Sequence, residues 1–231
     1  LTDQMGRVAK AGLARSVHNV QPARWRFAGD RVTLWEDTSR RLPAGDPEGR
    51  DAAISLGAAA EGMVLALSAR GLALVDQGEP AQPQAEGVLV ERRLFTIASG
   101  VADPLQRFVA MRQSYRGAFE TIEAEDCTAA EALAAEDCAV VTEPGRIAGI
   151  ARQGDRSGHH FFRDDGFRPE LRSWMRLRRS DPRWTRDGLN AEAMAMSSIA
   201  AYGAGLVLGS LFRPLDGIGL AAPLTAEAAT I

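Results

Sequence analysis

The alternation of apolar and polar residues predicts a β-hairpin near the start of the chain. Residues 25–28 and 31–35 alternate on either side of Gly29-Asp30, and such a glycine-containing pair is typical of two-residue hairpin turns. Two further short apolar runs, residues 88–90 and 139–141, are also predicted to be strands. The pattern therefore predicts a sheet that is built at least partly from neighbouring antiparallel strands.

A longer apolar run predicts a central helix that ends near Arg70. Asp46 is a suitable N-cap, Pro47 suits the first helical position, and Gly71 is a typical residue just after a helix. Between residues 52 and 67 the helix is apolar on nearly all sides. A helix of this kind is predicted to be buried, against a second half of the chain or a second copy of it.

Shorter helical patterns alternate with the predicted strands, which indicates an α+β or α/β fold. The segment Gly78–Gly87 is rich in proline, glutamine and glycine, so it is predicted to be a linker or an exposed loop. The shorter predicted helices cover residues 1–15, 104–111, 129–137, 168–179 and 190–198, and the region around Leu206.

Composition and charge exclude several classes of protein. The 231 residues are 45% hydrophobic and carry 27 basic and 30 acidic side chains, so no strong overall field favours nucleic acid or a membrane surface. The longest uninterrupted apolar run, Ile199–Leu208, is much shorter than the ~20 residues that span a bilayer. Cys127 and Cys138 lack metal-binding spacing and are predicted to be free thiols. We therefore expect a cytoplasmic protein with neither nucleic acid nor membrane as a partner.

The first candidate for chemistry is the polar segment between the first predicted helix and the hairpin. Its hydroxyl, imidazole and amide groups can donate and accept hydrogen bonds toward a heteroaromatic ligand. The alternative is structural, because serine and asparagine also cap helices and close loops. The candidate residues are Ser16, His18, Asn19 and Gln21.

The second candidate is the run Arg112-Gln113-Ser114-Tyr115-Arg116. In an extended chain Arg112, Ser114 and Arg116 share one face, and two guanidinium groups with a hydroxyl suit a phosphate dianion. The alternative is a solvated surface, where this pattern is common.

The third candidate is the turn Asp187-Gly188-Leu189, where a glycine allows a ligand to lie close to the backbone. It is equally compatible with a simple helix entry. His159-His160 lacks a third ligand at metal spacing, and the arginines of residues 172–186 are predicted to lie on a solvated helix face. The nucleophile-elbow, P-loop, zincin and dinucleotide-binding signatures are absent from the sequence.

Taken together, these segments resemble the nitroreductase superfamily of FMN-dependent oxidoreductases. A serine–asparagine–glutamine–proline segment of the family precedes Trp-Arg-Phe, and its phosphate-binding segment reads RxSxR. Because the first segment precedes the second here, the chain is similar to the Acg-type branch, in which two nitroreductase-like halves are fused. The matching residues are Ser16, Asn19, Gln21, Pro22, Trp25, Arg26 and Phe27, with Arg112, Ser114 and Arg116.

The resemblance implies a nitroreductase-like α+β fold, with an antiparallel or mixed sheet and flanking helices around a buried central helix. It implies a first half over residues 1–77, a linker region over 78–103 and an incomplete second half over 104–231. It also implies FMN as the cofactor. Arg112, Ser114 and Arg116 would hold its phosphate, the polar segment with Ser16, His18, Asn19 and Gln21 would contact the flavin, and the Gly188 N–H would face flavin N5.

The function implied is transfer of hydride from NAD(P)H to a small electron-poor acceptor. No catalytic side chain is required, because the flavin carries the chemistry. The alternative is a protein that binds or sequesters FMN with little turnover, with the segment between Arg116 and Gly188 as a cover whose residues 154–166 are predicted to be mobile. The expected assembly is a homodimer or a pseudo-dimer.

Overall fold

A computed structural model describes residues 14–112, 114, 123–132, 134 and 138–226. The chain forms two compact units. One unit comprises Leu1–Ser114 together with Trp174–Leu189, and the other comprises Tyr115–Ser173 together with Asn190–Ile231. The first unit is a sheet with one long helix and the second is helical, so the expected mixed α+β class is confirmed.

The sheet of the first unit is antiparallel throughout. Its strands follow the order β1-β2-β5-β3, and the short β4 pairs with β5. The predicted hairpin is present, because Ala28 pairs with Arg31 across Gly29-Asp30. The strands are β1 (Ala23–Ala28), β2 (Arg31–Asp37), β3 (Leu72–Gly78), β4 (Ala85–Glu86) and β5 (Leu89–Ser99).

The region predicted to be a linker, residues 78–103, is instead part of this sheet. β5 is its longest strand and lies between β2 and β3. The Pro/Gln/Gly-rich stretch 78–87 only connects the neighbouring antiparallel strands β3 and β5, with β4 inside it. Turn-forming residues were therefore a sign of a strand connection and not of a domain boundary.

The central helix α1 runs from Arg50 to Ser68. It begins later than predicted, with Gly49 at the N-cap, yet Asp46 still acts as its cap. The Asp46 carboxylate accepts from the backbone N–H groups of Asp51 and Ala52 at 3.1 and 2.8 Å. At the other end Gly71 has φ +67°, the left-handed conformation expected of a residue that terminates a helix.

One side of α1 forms the core of the unit. Met63 and Leu67 are fully buried, and Leu56 packs in a cluster with Val32, Leu34 and Phe95. The expectation of burial on nearly all sides holds for one side only, because Ile54 on the other side is 67% exposed. Among the described residues α1 is the one helix long and apolar enough to cross a membrane, but half of its apolar window is buried inside the protein.

The second unit is built from packed helices. α3 contacts α7, while α5, α6 and α7 contact one another. Phe212 is fully buried there, with the Arg168 guanidinium 4.5 Å from its ring centre. The remaining helices are α2 (Ala124–Ala132), α3 (Pro144–Arg163), α4 (Phe167–Trp174), α5 (Ser198–Val207), α6 (Phe212–Gly217) and α7 (Ala221–Thr225).

Several shorter predictions are corrected. The predicted helix 168–179 ends at Trp174, and the short strand β6 (Met175–Arg176) follows and pairs with β7 (Leu189–Asn190). Residues 139–141 are not a strand, and most of the predicted mobile segment 154–166 belongs to α3.

The remaining helix predictions have different outcomes. The predicted helix 104–111 is a 3₁₀ turn over Pro104–Phe108. The predicted helix 190–198 is absent, since α5 begins only at Ser198, where Ser197 caps it. The predicted helix 1–15 falls almost wholly outside the described residues.

Candidate functional site

The segment Ser16–Gln21 folds into a compact turn in front of β1. The Ser16 hydroxyl accepts from the Gln21 N–H at 2.9 Å, and the Ser16 carbonyl accepts from the Asn19 N–H at 2.9 Å. The Val17 N–H donates to the Ser55 hydroxyl on α1 at 3.3 Å. Ser16 therefore binds the backbone of both Asn19 and Gln21, and Ser55 on α1 binds the backbone of Val17.

The backbone of this turn is unusual. His18, Asn19 and Gln21 have φ values of +46°, +53° and +50°, a left-handed conformation that residues other than glycine seldom adopt. Conformations of this kind persist where the surroundings over-determine them, and they are concentrated at functional sites. The conformation of this turn therefore depends on the contacts around it.

Asn19 joins this turn to the Asp187-Gly188 turn, which lies 169 residues further along the chain. The Asn19 side-chain amide donates to the Gly188 carbonyl at 3.1 Å, and the Gly188 N–H donates to the Asn19 carbonyl at 3.1 Å. The Gln21 amide adds a third link, since its Nε2 donates to the Arg186 carbonyl at 3.1 Å and to Asn19 Oδ1 at 3.1 Å. We call Ser16–Gln21 and Arg186–Gly188 together the turn cluster.

Gly188 occupies a position that no other residue fits. Its φ is +78°, and a Cβ atom placed there would lie 2.4 Å from the Trp174 carbonyl oxygen and 2.8 Å from Arg176 Cζ. The sequence reasoning chose this glycine for its N–H. That N–H donates to the Asn19 carbonyl within the protein, and its expected role toward flavin N5 stays a prediction.

A buried ion pair lies directly behind the turn cluster. Arg176, which is 1% exposed, donates through Nε and Nη2 to Asp187 Oδ1 at 3.2 and 2.7 Å. Arg40 approaches the other carboxylate oxygen, with its Nη1 3.2 Å from Asp187 Oδ2, and the same nitrogen donates to the Val20 carbonyl at 2.7 Å. Asp187 thus binds two arginines through its two oxygens.

The charges continue from Arg40 to the edge of the sheet. Asp37 at the end of β2 lies 3.4 Å from Arg40 Nε and accepts from Arg24 Nη2 at 2.8 Å. Arg24 in turn donates to the carbonyls of Gln21 and Ala23 at 2.9 Å each. Charges alternate along the series Arg24, Asp37, Arg40, Asp187 and Arg176. Two of its arginines, Arg24 and Arg40, bind the backbone at the end of the polar turn, at Gln21 and Val20.

Both aspartates of this series are held in the ionised form. Burial raises the pKa of the Asp187 carboxyl, but hydrogen bonds and charge from Arg176 and Arg40 outweigh it and lower that pKa below its usual range. The pKa of Asp37 is also lowered: burial opposes the shift, and the Ser39 hydrogen bonds together with Arg24 and Arg40 outweigh it. These carboxylates are structural anions near neutral pH.

The predicted phosphate segment has a different character. Arg112 follows the 3₁₀ turn Pro104–Phe108, with its N–H bonded to the Phe108 carbonyl at 3.0 Å, and both Arg112 and Ser114 are exposed. Arg116 lies outside the described residues. The 3₁₀ turns Val17–Asn19 and Pro104–Phe108 both contact α1, so one helix supports both candidate segments of this unit.

The arginine that sequence reasoning misjudged is Arg176. It belongs to an arginine-rich run predicted to be a solvated helix face, yet it is buried on β6 and paired with Asp187. Arg40 and Asp37 were not singled out either, because nothing in their local pattern distinguishes them from surface charges. Asp187 was noted only as part of a turn.

A metal role is not indicated by the described part of the chain, which contains no cluster of three or more potential ligands. His159 lies on α3 with its Nε2 3.3 Å from Asp216 Oδ1, and Arg163 approaches the same carboxylate. Arg163 and Asp216 therefore form an ion pair within the second unit, and His159 lies beside it.

Comparisons with known proteins give little that bears on function. No protein-family model matches the chain, and no curated protein matches it. Among solved structures, the chain is similar to the "Putative NADH Oxidase" from Clostridium acetobutylicum, with 15% sequence identity and a TM-score of 0.34. The alignment covers 45% of this chain and 77% of that one.

Proposed function

We propose that the protein is an FMN-binding oxidoreductase of nitroreductase type, which passes hydride from NAD(P)H to a small electron-poor acceptor. The observation that carries this proposal is the double hydrogen bond between Asn19 and Gly188. The two residues belong to segments that the family resemblance assigns to the same flavin, and they are 169 residues apart in the chain.

The chemistry of the available donors fits the two ends of FMN. An isoalloxazine edge presents carbonyl oxygens, ring nitrogens and an N–H group, which suit the Ser16 hydroxyl, the second hydrogen of the Asn19 amide and the side-chain oxygen of Gln21. The Gln21 amide hydrogens already bind Arg186 and Asn19. The phosphate end suits the exposed Arg112 and Ser114, because a guanidinium can bind a phosphate through two parallel hydrogen bonds. Arg116 is the third member of that proposed set.

These residue types indicate what FMN and the protein would each contribute to the reaction. FMN, when bound, supplies the hydride chemistry. The protein would bind the phosphate through Arg112, Ser114 and Arg116, and orient the ring edge through the turn cluster. The proposed fold is correspondingly nitroreductase-like, with the antiparallel sheet and α1 as its first half.

Direct titration tests the proposal. Purified protein reconstituted with FMN should quench flavin fluorescence in a saturable way and retain a bound-flavin absorption band in the blue after gel filtration. Riboflavin, which lacks the phosphate, should bind more weakly. The proposal is wrong if neither flavin binds.

A second candidate function is FMN binding or sequestration with little turnover. One observation favours it: the Gly188 N–H donates to Asn19, whereas the resemblance assigns this donor to flavin N5, the atom that takes the hydride. Stopped-flow mixing of the loaded protein with NADH and with NADPH separates the two candidates. Rapid bleaching of the flavin supports the oxidoreductase, and a yellow protein that stays oxidised supports the binder.

The proposed assembly is a homodimer, with a pseudo-dimer as the alternative. The support is the side of α1 that carries the exposed Ile54, together with the exposed Ala53 and Gly57, because small and apolar residues allow close packing of a second surface. Sedimentation velocity decides between the two: a dimer supports the first, and a monomer that binds one FMN supports the second.

A further inference from the structure

We infer that Asp187 is a positioning residue of the flavin site, which sets the geometry of the turn cluster through two arginines without touching the ligand itself. The inference rests on the proposed function, since it assigns a role within that same site. It concerns only residues of the first unit. It goes beyond the family resemblance, which assigns no role to the Asp187 side chain, to Arg40 or to Arg176.

The argument begins with the geometry of the carboxylate. Asp187 Oδ1 is bound by the buried Arg176, and Oδ2 is 3.2 Å from Arg40 Nη1. Because each oxygen has a different partner, the carboxylate plane is fixed in both position and rotation. The neighbouring Gly188, which directly follows Asp187, is fixed with it.

The second step is the link to the other turn. Arg40 Nη1 donates to the Val20 carbonyl at 2.7 Å as well as to Asp187. One nitrogen therefore connects the Asp187 side chain to the backbone of Ser16–Gln21. This link runs parallel to the direct Asn19–Gly188 pair, so the spacing of the two turns is set at two points and not at one.

The third step is the need for such support. His18, Asn19 and Gln21 adopt left-handed conformations, which are unfavourable for residues other than glycine. A turn of this kind relaxes when its tethers are removed. Loss of the Asp187 charge leaves Arg176 buried without its carboxylate, so both the position of Gly188 and the conformation of Asn19 should change together.

The test uses Asp187→Asn, which keeps the size of the side chain and removes its charge. If Asp187 positions the ring-side turns, this variant should weaken FMN and riboflavin by the same factor, about tenfold or more, since the loss of one charged interaction has that size. The bound-flavin absorption band should also shift. The matched control is Asp76→Asn, because Asp76 also uses both carboxylate oxygens in an ion pair, with Arg93, away from the turn cluster.

Arg40→Gln and Asp187→Glu complete the set. Because Arg40 is a quarter exposed, Arg40→Gln can be measured even if Asp187→Asn fails to fold. Arg40→Gln should weaken FMN and riboflavin by the same factor as each other. Asp187→Glu restores the charge and should recover part of the affinity and of the absorption band.

The outcomes separate the two proposals. Wild-type affinity and an unshifted band in Asp187→Asn and Arg40→Gln would overturn the positioning role, as would a loss confined to FMN. If the wild-type chain itself binds neither flavin, the proposed function fails instead. Equal losses in Asp76→Asn would also count against the inference, because they would show a general effect of removing an ion pair.

Discussion

The turn cluster and the segment around Arg112 are two parts of one proposed site, and they differ in how they are held. In the turn cluster the side chains of Asn19 and Gln21 bind backbone carbonyls of the other turn, and a buried ion pair lies behind them. Arg112 and Ser114 instead lie exposed after a short 3₁₀ turn.

The comparison indicates which part of the proposed site is preorganised. Residues whose polar groups bind one another hold their geometry without a ligand. Substitutions of these residues should therefore alter both folding stability and flavin binding. Exposed residues contribute little to folding, so changes at Arg112 should alter ligand affinity alone. The predictions below test this separation of effects.

The largest effect is expected for Gly188→Ala. The new Cβ would meet the Trp174 carbonyl at 2.4 Å in a backbone with φ +78°, so strain and overpacking should together lower the free energy of unfolding by about 3 kcal/mol or more. Urea unfolding measures this loss. Gly29→Ala is the control, because Gly29 has a similar φ of +63° but nothing within 4 Å of the added atom.

For Gly29→Ala only the conformational cost remains, about 1 kcal/mol. Equal losses in the two variants would mean that close packing around Gly188 contributes nothing, and the turn cluster would then not be the rigid part of the site.

The next effect is the pH dependence of Asp187. Its pKa in the folded protein lies below its unfolded value, which is about 3.9. Its stabilisation is therefore fully present above the unfolded pKa and is lost as the pH falls through the folded pKa. The free energies of unfolding of the wild type and Asp187→Asn, measured by urea titration, should differ by about 3 kcal/mol near pH 7, and the difference should shrink below about pH 4.

A difference that stays constant from pH 7 to pH 3 would contradict the ionic role of Asp187. Arg178→Ala, which removes an exposed arginine of the same unit, should leave the pH dependence unchanged.

Arg112→Ala should change binding and leave folding intact. Loss of one charge-assisted contact to the phosphate should weaken FMN about 10- to 100-fold, with the urea midpoint unchanged. Isothermal titration calorimetry measures the affinities for FMN and for riboflavin. Riboflavin affinity should hardly change, because riboflavin has no phosphate. Arg112→Lys should lie between the two, since it keeps the charge and loses the planar fork.

If Arg112→Ala lowers stability as much as it lowers FMN affinity, the contrast between the two parts of the site is wrong. If it binds FMN as the wild type does, the phosphate assignment of Ser114 and Arg116 is wrong with it.

The smallest effect is expected for Ser16→Ala. The Gln21 N–H would lose its acceptor at 2.9 Å, which should cost about 1 kcal/mol of unfolding free energy. Amide hydrogen exchange should show faster exchange at Gln21. Ser197→Ala removes a comparable bond to the Ala200 N–H in the second unit, so it should cost a similar amount and leave exchange at Gln21 unaffected.

The elements that follow local rules could be predicted from the sequence. Gly29-Asp30 and the alternating residues on either side of it predict the hairpin. Asp46 and Gly71 lie at the two ends of a helix that the apolar run between them predicts. Elements that depend on distant partners could not. Arg176 looks like its solvated neighbours, and only the fold reveals that it is buried against Asp187.

The candidate site divides in the same way. Ser16, Asn19, Gln21 and Gly188 were found through a motif, and the structure brings them together. Arg40 was not found, because its importance lies in bridging Val20 and Asp187, a relation that no sequence pattern records. The predicted linker failed for a related reason: a glycine- and proline-rich stretch marks a turn equally well between two domains and between two strands.

The pairing of Asn19 with Gly188 also has a consequence for synthesis of the chain on the ribosome. The first unit is discontinuous, since it needs Trp174–Leu189 as well as the residues up to 114. At 5–20 residues per second, the partners of the Ser16–Gln21 turn emerge roughly 10 to 30 s after the turn itself. During that interval the turn has only its contacts with earlier residues, such as the bond between Val17 and Ser55. Its bonds to residues 186–188 can form only after Tyr115–Ser173, the first stretch of the second unit, has been synthesised.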